Sequence, residues 1–176
     1  LEVGWSGDRV DQVVITDDAN VAISREDVDV VVEATGNPAA GIRHARVAFH
    51  HGKHVVMVNV EADVLAGPLL AREARSANVV YSMAYGDQPA LACELVEWAR
   101  ACGFDVVAAG KGTKYLPSYR ASTPETVWDH YGLTQEQAAR AGMNSQMFNS
   151  FLDGTKSALE MAAVANATHL TPALEG

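Results

Sequence analysis

Asp153 and Lys156 lie three apart in a stretch that is otherwise apolar, running Met147-Phe148 through Leu152 to Leu159 and Val164. On one helix they share a face, as a plain ion pair or as something more. Charge inside an apolar helix is seldom tolerated without a use. A lysine beside a carboxylate can give a proton to a carbonyl oxygen under reduction, so Lys156 is the candidate donor and Asp153 its partner. A second group is small and polar: Ala34-Thr35-Gly36-Asn37-Pro38, then Asn59 and Glu61. Each follows a short apolar run, where bare backbone lets a ribose or a nicotinamide ring approach. Helix capping is the competing explanation for Glu61. A third group is Gly110-Lys111-Gly112-Thr113-Lys114, whose amides and two ammonium groups can converge on a phosphate or carboxylate. It lacks the spacing of a P-loop. Asp87, in the turn Tyr85-Gly86-Asp87-Gln88-Pro89, joins it as a candidate substrate contact.

These residues need elements to hold them. Val28–Val32 is a β-branched run that reads as a buried strand. Pro38 suits the first turn of a helix through Phe49, stopped by Gly52. His54–Val58 reads as a second strand. Strand, crossover helix and strand make a βαβ unit and a parallel sheet, with ligands beyond the carboxyl ends of the strands. A helix over 65–77, a strand over 79–83, a helix over 90–101 and a strand over 105–109 continue the alternation. Val13–Thr16 reads as an earlier strand, with Asp17-Asp18 capping Ala19–Ile23; Leu1–Val10 has no clear period. Beyond Gly110 the rhythm turns helical. Helices are expected after Ser122-Thr123-Pro124, from Thr134 to Gly142, and over 144–167 with an interruption at Gly154. The fold class is therefore α/β: a Rossmann-like sheet over 1–109, then a mostly helical catalytic segment over 110–176.

Composition bounds the rest. The chain has 176 residues and a formal net charge of −9, with its cations scattered. That balance disfavours nucleic acid and anionic membrane as partners. Cys93 and Cys102 lie nine apart on one expected helix, too far to bridge, and read as reduced packing residues of a cytoplasmic protein. The six histidines read as structural. No G-x-G-x-x-G turn occurs, although a complete dinucleotide-binding domain opens with one. The expectation is that this turn precedes Leu1.

The blocks VDVVVEATG, GKHVVMVNVEAD, VVYSMAYGDQPA, VVAAGKGTKY and FNSFLDGTKSALEMAAVANAT together resemble the homoserine-dehydrogenase-like oxidoreductases that carry a C-terminal SAF domain. That group includes the 1-deoxy-D-xylulose 5-phosphate reductoisomerase-like enzymes. The resemblance implies a domain for NADP, with NAD as the alternative, then a domain forming the substrate pocket and often a dimer contact. It also implies a SAF region beyond Gly176 and a place in isoprenoid biosynthesis. In homoserine dehydrogenases a catalytic lysine follows the asparagine, whereas here Val60 and Glu61 follow Asn59. The expected function is NAD(P)H-dependent oxidoreduction of a small carbonyl or hydroxyl compound. Ala34, Thr35, Gly36, Asn37 and Asn59 would line the cofactor, Lys111, Lys114 and Asp87 would hold substrate, and Lys156, Asp153 and Glu61 would be catalytic. A carboxylated aldehyde as substrate and a non-catalytic binding protein are the alternatives. A divalent metal is left open.

Overall fold

The computed structural model describes residues 14–172. It divides between Ser82 and Met83 into two compact units. The boundary expected at 109/110 falls inside the second.

In the first unit, α1 (Ala19–Ile23) is capped by Asp18, whose side chain accepts from the amides of Asn20 and Val21. β1 (Val30–Glu33) is followed by α2 (Pro38–His50), β2 (His54–Met57), α3 (Val60–Ser76) and β3 (Tyr81–Met83), the last residue of which opens the second unit. The sheet has the order β1-β2-β3, and β1 pairs with β2 in parallel register, Val30 with His54 through Glu33 with Met57. Val55 N donates to Val80 O at 2.9 Å, tying β2 to the entry of β3. The expected βαβ unit is present, and it repeats once.

Alternation along the strands sorts the side chains. Val55 and Met57 face a core shared with Ala45, Ala48 and Phe49 of α2 and Leu70 and Ala74 of α3. Val30 and Val32 point the other way and are exposed, so β1 is not buried on both faces as its apolar run suggests. α2 ends as read: Gly52 takes φ +68°, and the amides of Gly52 and Lys53 fold back onto Phe49 O and Ala48 O. α3 starts at Val60 rather than at residue 65. The reason is Asn59, whose side chain accepts from Ala62 N and caps the helix. Among the histidines, His54 is structural as expected, its Nδ1 accepting from Val80 N at 2.9 Å. Of the expected strand Val13–Thr16, Val13 lies outside the described residues, and Val14 and Ile15 are exposed and form no strand.

The second unit is helical. α4 (Gln88–Ala101) packs on α8 (Thr155–Thr168), and Arg100 donates to Thr168 O at 3.0 Å near their ends. α5 (Val127–Tyr131), α6 (Gln135–Arg140) and α7 (Ser145–Leu152) enclose Val127, Trp128 and Ala138, with Phe148 against Trp128. Thr134 and Gln137 complete a reciprocal capping box for α6. Cys93 and Cys102 are both free.

Two expectations fail here. The run 105–109 forms no strand; Val107 is almost fully exposed, and β-branched residues extend into a ladder only beside a partner strand. The helix expected from Ser122-Thr123-Pro124 begins instead at Val127, after a turn closed by Thr126 N on Thr123 O. The interruption expected at Gly154 is present: the stretch over 144–167 is two helices, parted where Gly154 adopts φ +88°.

Candidate active site

In the first unit the polar residues gather at the carboxyl ends of β1 and β2. The turn Ala34–Asn37 leaves β1 exposed, with Gly36 at φ +67° and open space around it. Thr35 Oγ1 accepts from Asn37 N at 3.3 Å, and Asn37 Oδ1 caps α2 by accepting from Ala40 N at 2.9 Å. Asn59 crosses from the end of β2. Its amide donates to Asn37 O at 2.9 Å and to Thr35 Oγ1 at 3.4 Å, while its Oδ1 accepts from Ala62 N at 3.1 Å. The structure thus brings Thr35, Gly36, Asn37 and Asn59 together. Both adjacent helices, α2 and α3, present their amino ends at this edge, where positive dipole and unpaired amides favour anionic groups. Glu61 lies half-buried in the first turn of α3.

Two buried acids underpin this edge, and neither was singled out from the sequence. Glu33 closes β1 with 2% exposure, and its Oε1 lies 3.4 Å from Thr35 N and 3.3 Å from His44 Nδ1. Burial pushes its carboxyl pKa up, but hydrogen bonds from Thr35, Asn59 and His44 outweigh that and hold it below the usual carboxylate range. Asp63, on α3, accepts from Tyr81 Oη at 2.7 Å. Its pKa moves the other way: burial raises it, and the tyrosine bond only partly offsets that. The signal available for Glu33 was a lone acid ending an apolar strand, which reads equally well as the first residue of a loop.

In the second unit Asp153 caps the break between α7 and α8. Its carboxylate accepts from Asn149 Nδ2 at 3.0 Å and from Thr155 N at 2.8 Å, across Gly154. Asp153 and Lys156 therefore do not share one continuous helix face. Asp153 sits at the amino end of α8, and Lys156 is half-buried in that helix's first turn. Four residues further on, on the same face as Lys156, is Glu160, buried at 5% exposure and unremarked in the sequence. Lys111 reaches both Glu160 Oε2 and Gln88 Oε1. Lys114 is exposed, and Asp87 caps α4 by accepting from Gln88 N at 2.9 Å. So Lys111 is held in an ion pair, whereas Lys114 faces solvent. Among the described residues no group of three or more His, Cys, Asp or Glu could hold a metal ion, and no helix is long and apolar enough to cross a membrane.

A parallel α/β sheet with polar turns at its carboxyl edge is an arrangement that takes ligands at that edge, as dinucleotide-binding folds do. Comparison with known families gives the class, a nicotinamide-dependent oxidoreductase. Residues 6–83 match the NAD-binding domain of homoserine dehydrogenase, and residues 86–176, more than half of the chain, match the catalytic domain of oxidoreductase DRL. The chain belongs to the oxidoreductase DRL family. No curated relative matches the chain.

Proposed function

We propose that the protein reduces a small anionic carbonyl compound, of the sugar-phosphate kind, with NADPH. The observation that carries this reading is Asn59, whose side-chain amide joins the β1–α2 turn to the start of α3 at the carboxyl edge of the sheet. The residues there fit a dinucleotide: Gly36 leaves open space, Ala34, Thr35 and Asn37 are exposed, and two helix amino ends face the same edge. Bound cofactor would supply hydride to the carbonyl carbon.

The chain's own residues do the rest. Lys156 Nζ gives a proton to the carbonyl oxygen, and Asp153 fixes the start of its helix. Lys114 meets the anionic group of the substrate. Asp87 and Lys111 shape the surroundings of that group from the α4 cap and the Glu160 ion pair. Glu61, half-buried in the first turn of α3, is the further acid assigned to the catalytic step. The engagement of Lys111 with Glu160 favours a second reading, in which the substrate is a carboxylated aldehyde. One exposed lysine matches a carboxylate as well as it matches a phosphate. The protein is proposed to work as a cytoplasmic homodimer.

The test is oxidation of NADPH and of NADH by the full-length gene product on sugar phosphates and on carboxylated aldehydes. Turnover on a sugar phosphate with NADPH is expected. Turnover on carboxylated aldehydes alone would favour the second reading, and cofactor binding without turnover on either panel would favour a binding protein.

A further inference from the structure

Glu33 is too deeply placed to touch a ligand, yet two elements converge on its carboxylate and a third on its backbone carbonyl. The β1–α2 turn reaches Oε1 through Thr35 N at 3.4 Å, and α2 reaches it through His44 Nδ1 at 3.3 Å. The backbone of Glu33 also anchors the exit of β2, since its carbonyl accepts from Val58 N at 2.9 Å and from Asn59 N at 3.3 Å. Oε2 turns inward against Gly41. A Cβ at Gly41 would lie 3.0 Å from Glu33 Oε2, 2.8 Å from Asn59 Nδ2 and 3.0 Å from the Ala62 Cβ. So the absence of a side chain at Gly41 is what lets the acid and the amide close on the same point of α2.

We propose that Glu33 is a positioning residue for the nicotinamide cofactor, setting the β1–α2 turn and Asn59 as one rigid unit through the contact that Gly41 permits. The inference rests on reading this edge as the cofactor site. A turn of exposed small residues has little packing of its own to hold it, and at Gly36 an added Cβ would meet nothing within 4 Å. A buried charged acceptor beneath the turn supplies what packing does not, because hydrogen bonds to a charged group are stronger than neutral ones. The cofactor then meets amides and hydroxyls already in place, without having to order them on binding.

The experiment titrates NADPH into the full-length gene product, following nicotinamide fluorescence, beside a thermal melt and the substrate KM. The variants are Glu33→Gln, Gly41→Ala and His44→Leu. Glu33→Gln keeps the shape and removes the charge, and Gly41→Ala wedges the same contact apart without touching any charge. Both are expected to raise the cofactor dissociation constant about tenfold, the order of one lost charged hydrogen bond, with substrate KM unchanged. His44→Leu lies on the part-exposed side of α2 and is expected to give a smaller rise, so it keeps the test open if a core variant does not fold. Wild-type affinity in all folded variants would overturn the inference alone. A parallel loss of cofactor and substrate affinity, tracking a lowered melt, would also overturn it, since that marks general loosening. No NADPH binding by the wild-type protein would overturn the reading of the edge and the inference with it.

Discussion

Single residues make the sharpest claims, and Lys156 is the first. As proton donor, its replacement by alanine should lower turnover roughly a hundred- to ten-thousand-fold while barely changing substrate binding. Asp153→Asn should fall between, because its amide oxygen can still accept from Thr155 N, while the bond from Asn149 Nδ2 and the negative charge at the amino end of α8 are lost. Steady-state kinetics beside melts checks both. Near-wild-type turnover in Lys156→Ala would remove it from the mechanism. Asp63 offers a test by pH. Its folded pKa is raised, mainly by burial, so the folded state holds the proton more tightly than the unfolded chain does. Its contribution is therefore favourable in acid and is lost as pH rises from the ordinary aspartate value through the raised one. In Asp63→Asn the amide oxygen still accepts from Tyr81 Oη and nothing ionises. The melting temperature of that variant relative to wild type should rise with pH across this window. Glu33 works in the opposite sense: its stabilisation is present above the ordinary glutamate value and is lost as pH falls through its depressed pKa.

At the scale of elements, the segment between α4 and the turn at Pro117–Ala121 has no regular structure, and Lys111 fastens it to α8 through Glu160. Lys111→Met should therefore destabilise the protein by about 3 kcal/mol, because it strands a buried carboxylate. Lys114→Met, at an exposed position, should leave stability within about 0.5 kcal/mol of wild type and weaken substrate binding instead. Chemical denaturation and substrate KM separate the two roles, and equal stabilities would refute the fastening. Element ends were largely legible in the sequence where a local residue decides them. Asp18, Asn37, Thr134 and Asn144 all cap helices through their own side chains, and Gly52, Gly142 and Gly154 all take positive φ at helix breaks. The strand expected over 105–109 was not decided locally, and it did not form.

For the whole molecule, the sheet of the first unit carries exposed Val30 and Val32 on the face opposite its core. A β-branched face left open to water is a surface for self-association, and light scattering of the full-length gene product should give a dimer mass. A monomer mass at high protein concentration would count against it. The sequence by itself determined the parallel βαβ frame, the turns at its carboxyl edge and the helical second half. Apolar period, glycine, proline and capping side chains act within a few residues of each other, so they can be read along the chain. Only the tertiary structure decided which charges are used and how. Asp153 looked like the ion-pair partner of Lys156 until Asn149 and Thr155 took up its carboxylate; Lys111 looked like an anion grip until Glu160 claimed it; Glu33 looked like the start of a loop until Thr35 and His44 closed over it. The physical reason is common to all three. The state of a charge depends on burial and on the partners the fold brings to it, and neither is encoded in the spacing of nearby residues.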